Sequence, residues 1–173
     1  MSFDVPVLLI TWRRPETTRQ VLCALRQVSP SVVYVASDGP RNQIEATNVN
    51  ATRELIDHEI DWPCKVSRLF SETNQGCEKG VSEAINWFFS SVEEGIILED
   101  DCVPHIDFFD FCRNLLKRYK DDQRIWCISG NNFQNYLQSK LMLVGVPALR
   151  LNHTLEIILE TYLELQQNHI LAA

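Results

Sequence analysis

Chemistry in this chain is densest at Glu99-Asp100-Asp101. The apolar run Gly95-Ile96-Ile97-Leu98 reads as a buried strand that ends abruptly in three carboxylates. In an open α/β sheet the carboxyl end of a strand opens onto the ligand crevice. Three adjacent acids repel one another, and a cation relieves that cost. Mg²⁺ and Mn²⁺ prefer carboxylate and water oxygens, with phosphates filling the rest of the shell. The triplet therefore reads as a metal site facing a phosphorylated ligand. On spacing alone it reads equally well as an acidic loop with its charges in water, because a motif needs its context.

Two further clusters follow strand-like runs: Thr11-Trp12-Arg13-Arg14 and Asp38-Gly39. Arginine offers a planar donor fork for phosphate, and an aspartate at a strand end can accept from a base or a ribose hydroxyl. Singly, each has an ordinary explanation. Arg13 and Arg14 suit the surface at a helix start, and Asp38-Gly39-Pro40 suits a plain turn. Together with the acidic triplet they describe a pocket for a nucleoside diphosphate and a cation.

The elements that must position these groups alternate along the chain. Val5 to Ile10 and Ser31 to Ala36 are short continuous apolar runs, the pattern of strands covered on both faces. Between them, Pro15 suits a first helical turn, and Val21, Leu22, Leu25 and Val28 form one helical stripe. Residues 43–60 read as a more polar helix, and Lys65 to Phe70 as a third strand with Asn74-Gln75-Gly76 as its loop. Val81, Ala84, Ile85, Phe88, Phe89 and Val92 match a helical face, with Gly95 expected to close that helix. After the acidic triplet, Phe108, Cys112, Leu115 and Tyr119 mark another helix, and Ile125 to Ser129 a fifth strand. The reading is an α/β fold: a mostly parallel open sheet with helices on both faces.

Composition narrows the function. The chain has 173 residues, enough for one domain with a proper core, and its 45% hydrophobic and 23% charged content is that of a soluble globular protein. A net charge of −7 without a basic stripe argues against a nucleic-acid partner. The six cysteines show no C-x-x-C pair, so neither zinc nor a disulfide framework is expected, and reduced thiols in a cytoplasmic setting are. No targeting or transmembrane segment is expected, since the N-terminal apolar run ends after a few residues at Trp12-Arg13-Arg14.

Thr11-Trp12-Arg13-Arg14-Pro15 resembles the T-Y-N-R-P opening of the GT-A glycosyltransferases, the nucleotide-diphospho-sugar transferase superfamily, with Arg13 in place of Asn. Asp38 falls where that family places its uracil-recognising aspartate. Glu99-Asp100-Asp101 resembles the E-D-D form of its D-x-D metal motif, of the N-acetylglucosaminyltransferase I type, and Phe108 to Phe111 and Trp126 to Ser129 are similar to segments that follow it there. The resemblance spans residues 5–134. It implies a UDP-sugar donor, with Thr11 and Arg14 touching the nucleotide, Asp38 the uracil, and Asp100 the ribose or sugar. It further implies Glu99 supporting the site and Asp101 ligating Mn²⁺ or Mg²⁺. The acceptor would be a sugar or a lipid. Lys79, near a basic contact of some relatives, is not assigned because Glu78 holds the aligned position.

The expected organisation is a donor-binding half over residues 1–135 and a divergent or truncated tail over 136–173 with one helix near 154–167. That tail does not resemble an acceptor-binding region, and no catalytic base is identified in it. Efficient transfer is therefore not expected of the chain as it stands. The rival of another class is a non-catalytic nucleotide-sugar-binding domain or an enzyme remnant. A sugar nucleotidyltransferase and a Rossmann dehydrogenase both need a glycine-rich loop after the first strand, and Thr11 to Pro15 contains no glycine.

Overall fold

Val7 and Leu9 face one side of the first strand and Leu8 the other, and all three are fully buried. That burial on both faces requires a helical layer above and below the strand. The computed structural model describes residues 3–122, 124–125, 127–129 and 143–145. Its elements are β1 (Val7–Thr11), α1 (Pro15–Val28), β2 (Val32–Ser37), α2 (Gln43–Glu59), β3 (Lys65–Phe70), α3 (Cys77–Phe89), β4 (Gly95–Glu99), α4 (Ile106–Tyr119), β5 (Cys127–Ser129) and β6 (Leu143–Gly145).

Among the described residues the sheet runs β3-β2-β1-β4-β6-β5. The first four strands are parallel, and β6 is antiparallel to both of its neighbours. Leu9 sits in register between Val35 and Leu98, so one face of three adjacent strands presents a continuous apolar row. On that face α1, α2 and α4 pack with Leu22, Leu25, Ile56, Phe109 and Cys112. On the opposite face α3 brings Ala84, Ile85, Phe88 and Phe89 against Leu8, Tyr34 and Ile97. The expected α/β architecture, helices on both faces of a mostly parallel sheet, is what the chain forms.

Helix ends follow local chemistry. Pro15 begins α1, where a missing N–H costs nothing, and the helix ends at Ser29 in the left-handed region with its N–H donating to Leu25 O. Asn42 caps α2 by accepting from the Glu45 N–H at 3.0 Å. Gly76 precedes α3 at φ 85°, a backbone that side-chain-bearing residues rarely adopt.

One expectation is corrected. Gly95 does not close α3. That helix ends at Phe89, with Ser90 still in the right-handed helical region, and Gly95 instead opens β4. A Cβ there would lie 2.3 Å from the Phe88 ring and 2.9 Å from the Pro6 carbonyl oxygen, so the position needs glycine for close packing of helix on strand. The sheet also gains β6 from a stretch whose pattern suggested no strand. The helix expected over 154–167 and the residue Trp126 lie outside the described residues. No helix among the described residues is long and apolar enough to cross a membrane. None of the six cysteines, all described, is joined in a disulfide.

Candidate functional site

Parallel strands deliver their carboxyl ends to one edge, and here those ends enclose a cleft of about 420 Å³. Thr11 and Trp12 enter it from the end of β1, Ser37 and Asp38 from β2, Ser71 and Asn74 from β3, and Glu99 to Asp101 from β4. The N-terminus of α3, at Gly76 and Cys77, closes another side. All six residues singled out in the sequence for substrate or metal, Thr11, Arg14, Asp38, Glu99, Asp100 and Asp101, line this one cleft.

The acidic triplet splits by burial: Asp100 is buried, and Glu99 and Asp101 are partly exposed. The chain turns tightly after β4, with Cys102 N–H donating to Glu99 O at 3.2 Å. Within that turn Glu99, Asp101 and Cys102 each bring a ligand-capable atom within 4.8 Å of the others. Asp100 is not part of that group and is only 5% exposed. Its Oδ2 accepts from the Trp12 N–H at 3.0 Å and its Oδ1 from Arg14 Nη1 at 3.1 Å. Burial pushes the Asp100 carboxyl above its ordinary range, while the Trp12 N–H and the Arg14 charge pull it back. Arg14 also reaches Asp101 Oδ2 at 2.8 Å.

The donor set suits a hard cation. Two carboxylates from Glu99 and Asp101 leave room for phosphate and water oxygens, the usual shell of Mg²⁺ or Mn²⁺. The Cys102 sulfur is a soft ligand that these ions do not favour, and it instead donates to Asp101 Oδ1 at 3.5 Å.

At the far end of the cleft Asp38 organises a loop. Its Oδ1 accepts from the N–H groups of Gly39 and Gln75, both at 2.8 Å, and its Oδ2 from the Asn74 amide at 2.7 Å. Gly39 meets the β3 loop so closely that a Cβ would lie 2.4 Å from the Thr73 carbonyl carbon. Beneath them Arg53 of α2 donates to the carbonyls of Ser37, Asp38 and Ser71 at 3.1, 3.2 and 2.7 Å. Burial lowers the Arg53 pKa, and the Asp38 charge opposes that shift. Cys77 faces the same space, and burial together with the Glu99 and Asp38 charges raises its thiol pKa, so it stays protonated.

The rim beside Asp38 is built on Trp12. Its indole N–H donates to Gly39 O at 3.0 Å, and the guanidiniums of Arg13 and Arg41 lie 4.2 and 4.8 Å from its ring centre. Both arginines pair with the buried Glu45, Arg13 at 2.5 Å. The Arg41 hydrogen bonds, against the cost of burial and with help from the Arg13 charge, hold Glu45 at a pKa of about 2.

Thr11 is 3% exposed and spends its hydroxyl on Ala36 O at 3.2 Å, tying β1 to β2 beneath the cleft. Lys79 pairs with Gln75 and Glu83 and does not line the cleft. Sequence reasoning missed Trp12 as a platform, Glu45 and Arg53 as supports, and Asn74 beside Asp38. Only Glu45 carried a local signal, since Asn42-x-x-Glu45 is a capping-box spacing. Arg53 carried none, because its acceptors are carbonyls that only the parallel strands bring together.

No protein-family model matches the chain, and none of the curated proteins matches it in sequence. Solved structures do match in fold. A cytidylyltransferase from Leptospira borgpetersenii serovar Hardjo-bovis superposes with a TM-score of 0.58 at 13% identity, over 92% of this chain. The mannosyltransferase PcManGT from Pyrobaculum calidifontis, solved with GDP-Man and Mn²⁺, superposes with a TM-score of 0.51 at 15% identity, over 75% of this chain. This chain spans 63% of the length of the first and 35% of the second. The likeness establishes a fold on which both a nucleotidyl and a sugar-nucleotide transferase are built.

Proposed function

We propose that this chain binds a UDP-sugar together with Mg²⁺ or Mn²⁺ and is a glycosyltransferase of the GT-A type, acting on a sugar or lipid acceptor. One observation carries the reading: Glu99 and Asp101 converge at the end of β4 in the same cleft that holds Arg14 and Asp38. The Mn²⁺ and GDP-Man in the mannosyltransferase of similar fold support a nucleotide-sugar ligand with a metal.

In this reading Glu99 and Asp101 hold the metal, which supplies Lewis-acid neutralisation of the charge on the departing nucleoside diphosphate. Arg14 presents its fork to the diphosphate. Asp100 takes a ribose or sugar hydroxyl through Oδ1, the oxygen it shares with Arg14. Asp38 accepts from the uracil N3–H, and its three existing hydrogen bonds hold it in a single orientation. Thr11 meets the nucleotide from the end of β1, beneath the base. The donor half is residues 1–135, and β6 at Leu143–Gly145 adds an antiparallel strand to the same sheet.

The fold is shared with a cytidylyltransferase, but the loop joining β1 to α1 is Trp12-Arg13-Arg14. It carries no glycine, and its backbone cannot approach a triphosphate as a glycine-rich loop does. A nucleotide-sugar-binding domain without turnover has the same donor contacts and differs only in lacking transfer.

Calorimetric titration of UDP, with and without Mn²⁺, tests the assignment on the parent chain and Asp101→Ala. The parent should bind UDP more tightly with Mn²⁺, and Asp101→Ala should lose that difference. Equal binding by both proteins, with and without the metal, would sink the metal-nucleotide reading.

A further inference from the structure

Arg14 Nη1 lies 2.8 Å from Asp101 Oδ2 and 3.1 Å from Asp100 Oδ1. One guanidinium thus lies against the acidic turn and engages the carboxylate that the metal assignment requires. An oxygen that holds Arg14 and one that holds a divalent ion are two states of the same group, because two cations that close repel strongly. The acids are the fixed partners. Their side chains are 8% and 27% exposed, whereas that of Arg14 is 50% exposed. Arg14 also stands just outside α1, at its N-cap with φ −120° and ψ 74°, and it lines the cleft. Its side chain can therefore leave the acids for another anion in the cleft without breaking a helix.

We propose that Arg14 is an internal competitor for the metal position, neutralising Asp100 and Asp101 until a diphosphate draws the guanidinium onto itself. The inference rests on the metal and diphosphate assignment above and adds an order to it. The metal alone meets an occupied carboxylate and binds weakly. A diphosphate recruits Arg14, uncovers Asp101 and brings its own oxygens to the ion. Linkage requires that whatever the nucleotide adds to metal affinity, the metal adds to nucleotide affinity.

Removing the guanidinium then has opposite effects on the two ligands. Mn²⁺ alone binds more tightly, and UDP alone binds more weakly. A simple phosphate contact would weaken UDP and leave Mn²⁺ alone unchanged, and a structural arginine would weaken both.

The experiment titrates Mn²⁺ alone into the parent chain, Arg14→Met and Arg14→Lys, reading free Mn²⁺ by its paramagnetic signal. UDP is then titrated with and without Mn²⁺. Arg14→Met should tighten Mn²⁺ alone by roughly three- to fivefold, the scale of one partly exposed ion pair. It should also weaken UDP measured without metal. Arg14→Lys should fall between, because it keeps the charge but loses the fork that spans both acids. It also provides a folded comparison if Arg14→Met is unstable. Mn²⁺ binding that is unchanged or weaker in both variants, with UDP still responding to Mn²⁺, overturns the competition and leaves the donor assignment standing. An absence of any Mn²⁺ effect in all three proteins overturns both.

Discussion

Deleting the Glu45 carboxylate would leave two guanidiniums, Arg13 and Arg41, over one Trp12 ring with no anion between them. The Glu45 pKa is lowered from 4.5 to about 2, so its ionised form is favoured by the fold. Its contribution to stability is complete above the ordinary carboxylate range and is lost as pH falls from 4.5 toward about 2. The melting temperature of Glu45→Gln should therefore lie below that of the parent near neutral pH, and the gap should close across that acid range. A gap independent of pH would mean that the carboxylate charge is not what Arg13 and Arg41 read. Asp38 invites a sharper test. Losing a buried hydrogen bond to a charged group costs about 1.5–3 kcal/mol. Asp38→Ala should weaken UDP by roughly tenfold or more and CDP little, since cytosine has no N3 proton to donate. Equal losses for both nucleotides, by calorimetry, would leave Asp38 as the residue that holds Asn74 and Gln75 and nothing more.

Elements meet in this fold where a side chain is missing. At Gly95 the ring of Phe88 from α3 occupies the space of a Cβ, and the Pro6 carbonyl closes it from β1's side. Gly95→Ala must push α3 away from β4 or shift the strand, and overpacking of this kind costs ~1–3 kcal/mol. Urea unfolding should show that loss while the affinity for UDP and Mn²⁺ in the folded fraction stays close to the parent's. Gly39 has the complementary role. Its Cβ would strike the Thr73 backbone, so Gly39→Ala should separate the β2 loop from the β3 loop and weaken nucleotide binding more than it weakens the fold. A variant that loses stability but binds UDP normally would show that the contact is only packing.

At the scale of the whole molecule, a ligand that binds only the folded chain raises its stability by mass action. At a hundredfold excess over its dissociation constant the gain is about 2.7 kcal/mol. For a chain of this size that corresponds to a melting shift of roughly 5–11 °C. UDP with Mn²⁺ should produce such a shift in the parent and a much smaller one in Asp101→Ala. Identical shifts in the two proteins would place the metal elsewhere than the end of β4.

Period and composition were enough to determine the order of the elements through α4, because burying a strand on both faces demands an unbroken apolar run. They also placed Asp38 and Glu99 to Asp101 at strand ends, since charge cannot continue inside such a strand. Which partners those charges meet could not be read from spacing. Arg14 reaches Asp100 and Asp101 across 86 and 87 positions of sequence, and the Asn74 amide reaches Asp38 across 36. Only the parallel pairing of β1 with β4 and of β2 with β3 closes those gaps. The same holds for Gly95, whose glycine looked like a helix stop because the Phe88 ring that excludes a Cβ is set by tertiary packing. It holds also for Arg53, whose acceptors are backbone carbonyls that any sequence would carry. Local patterns specify where a chain turns from apolar to charged, and the sheet decides which charges then face one another.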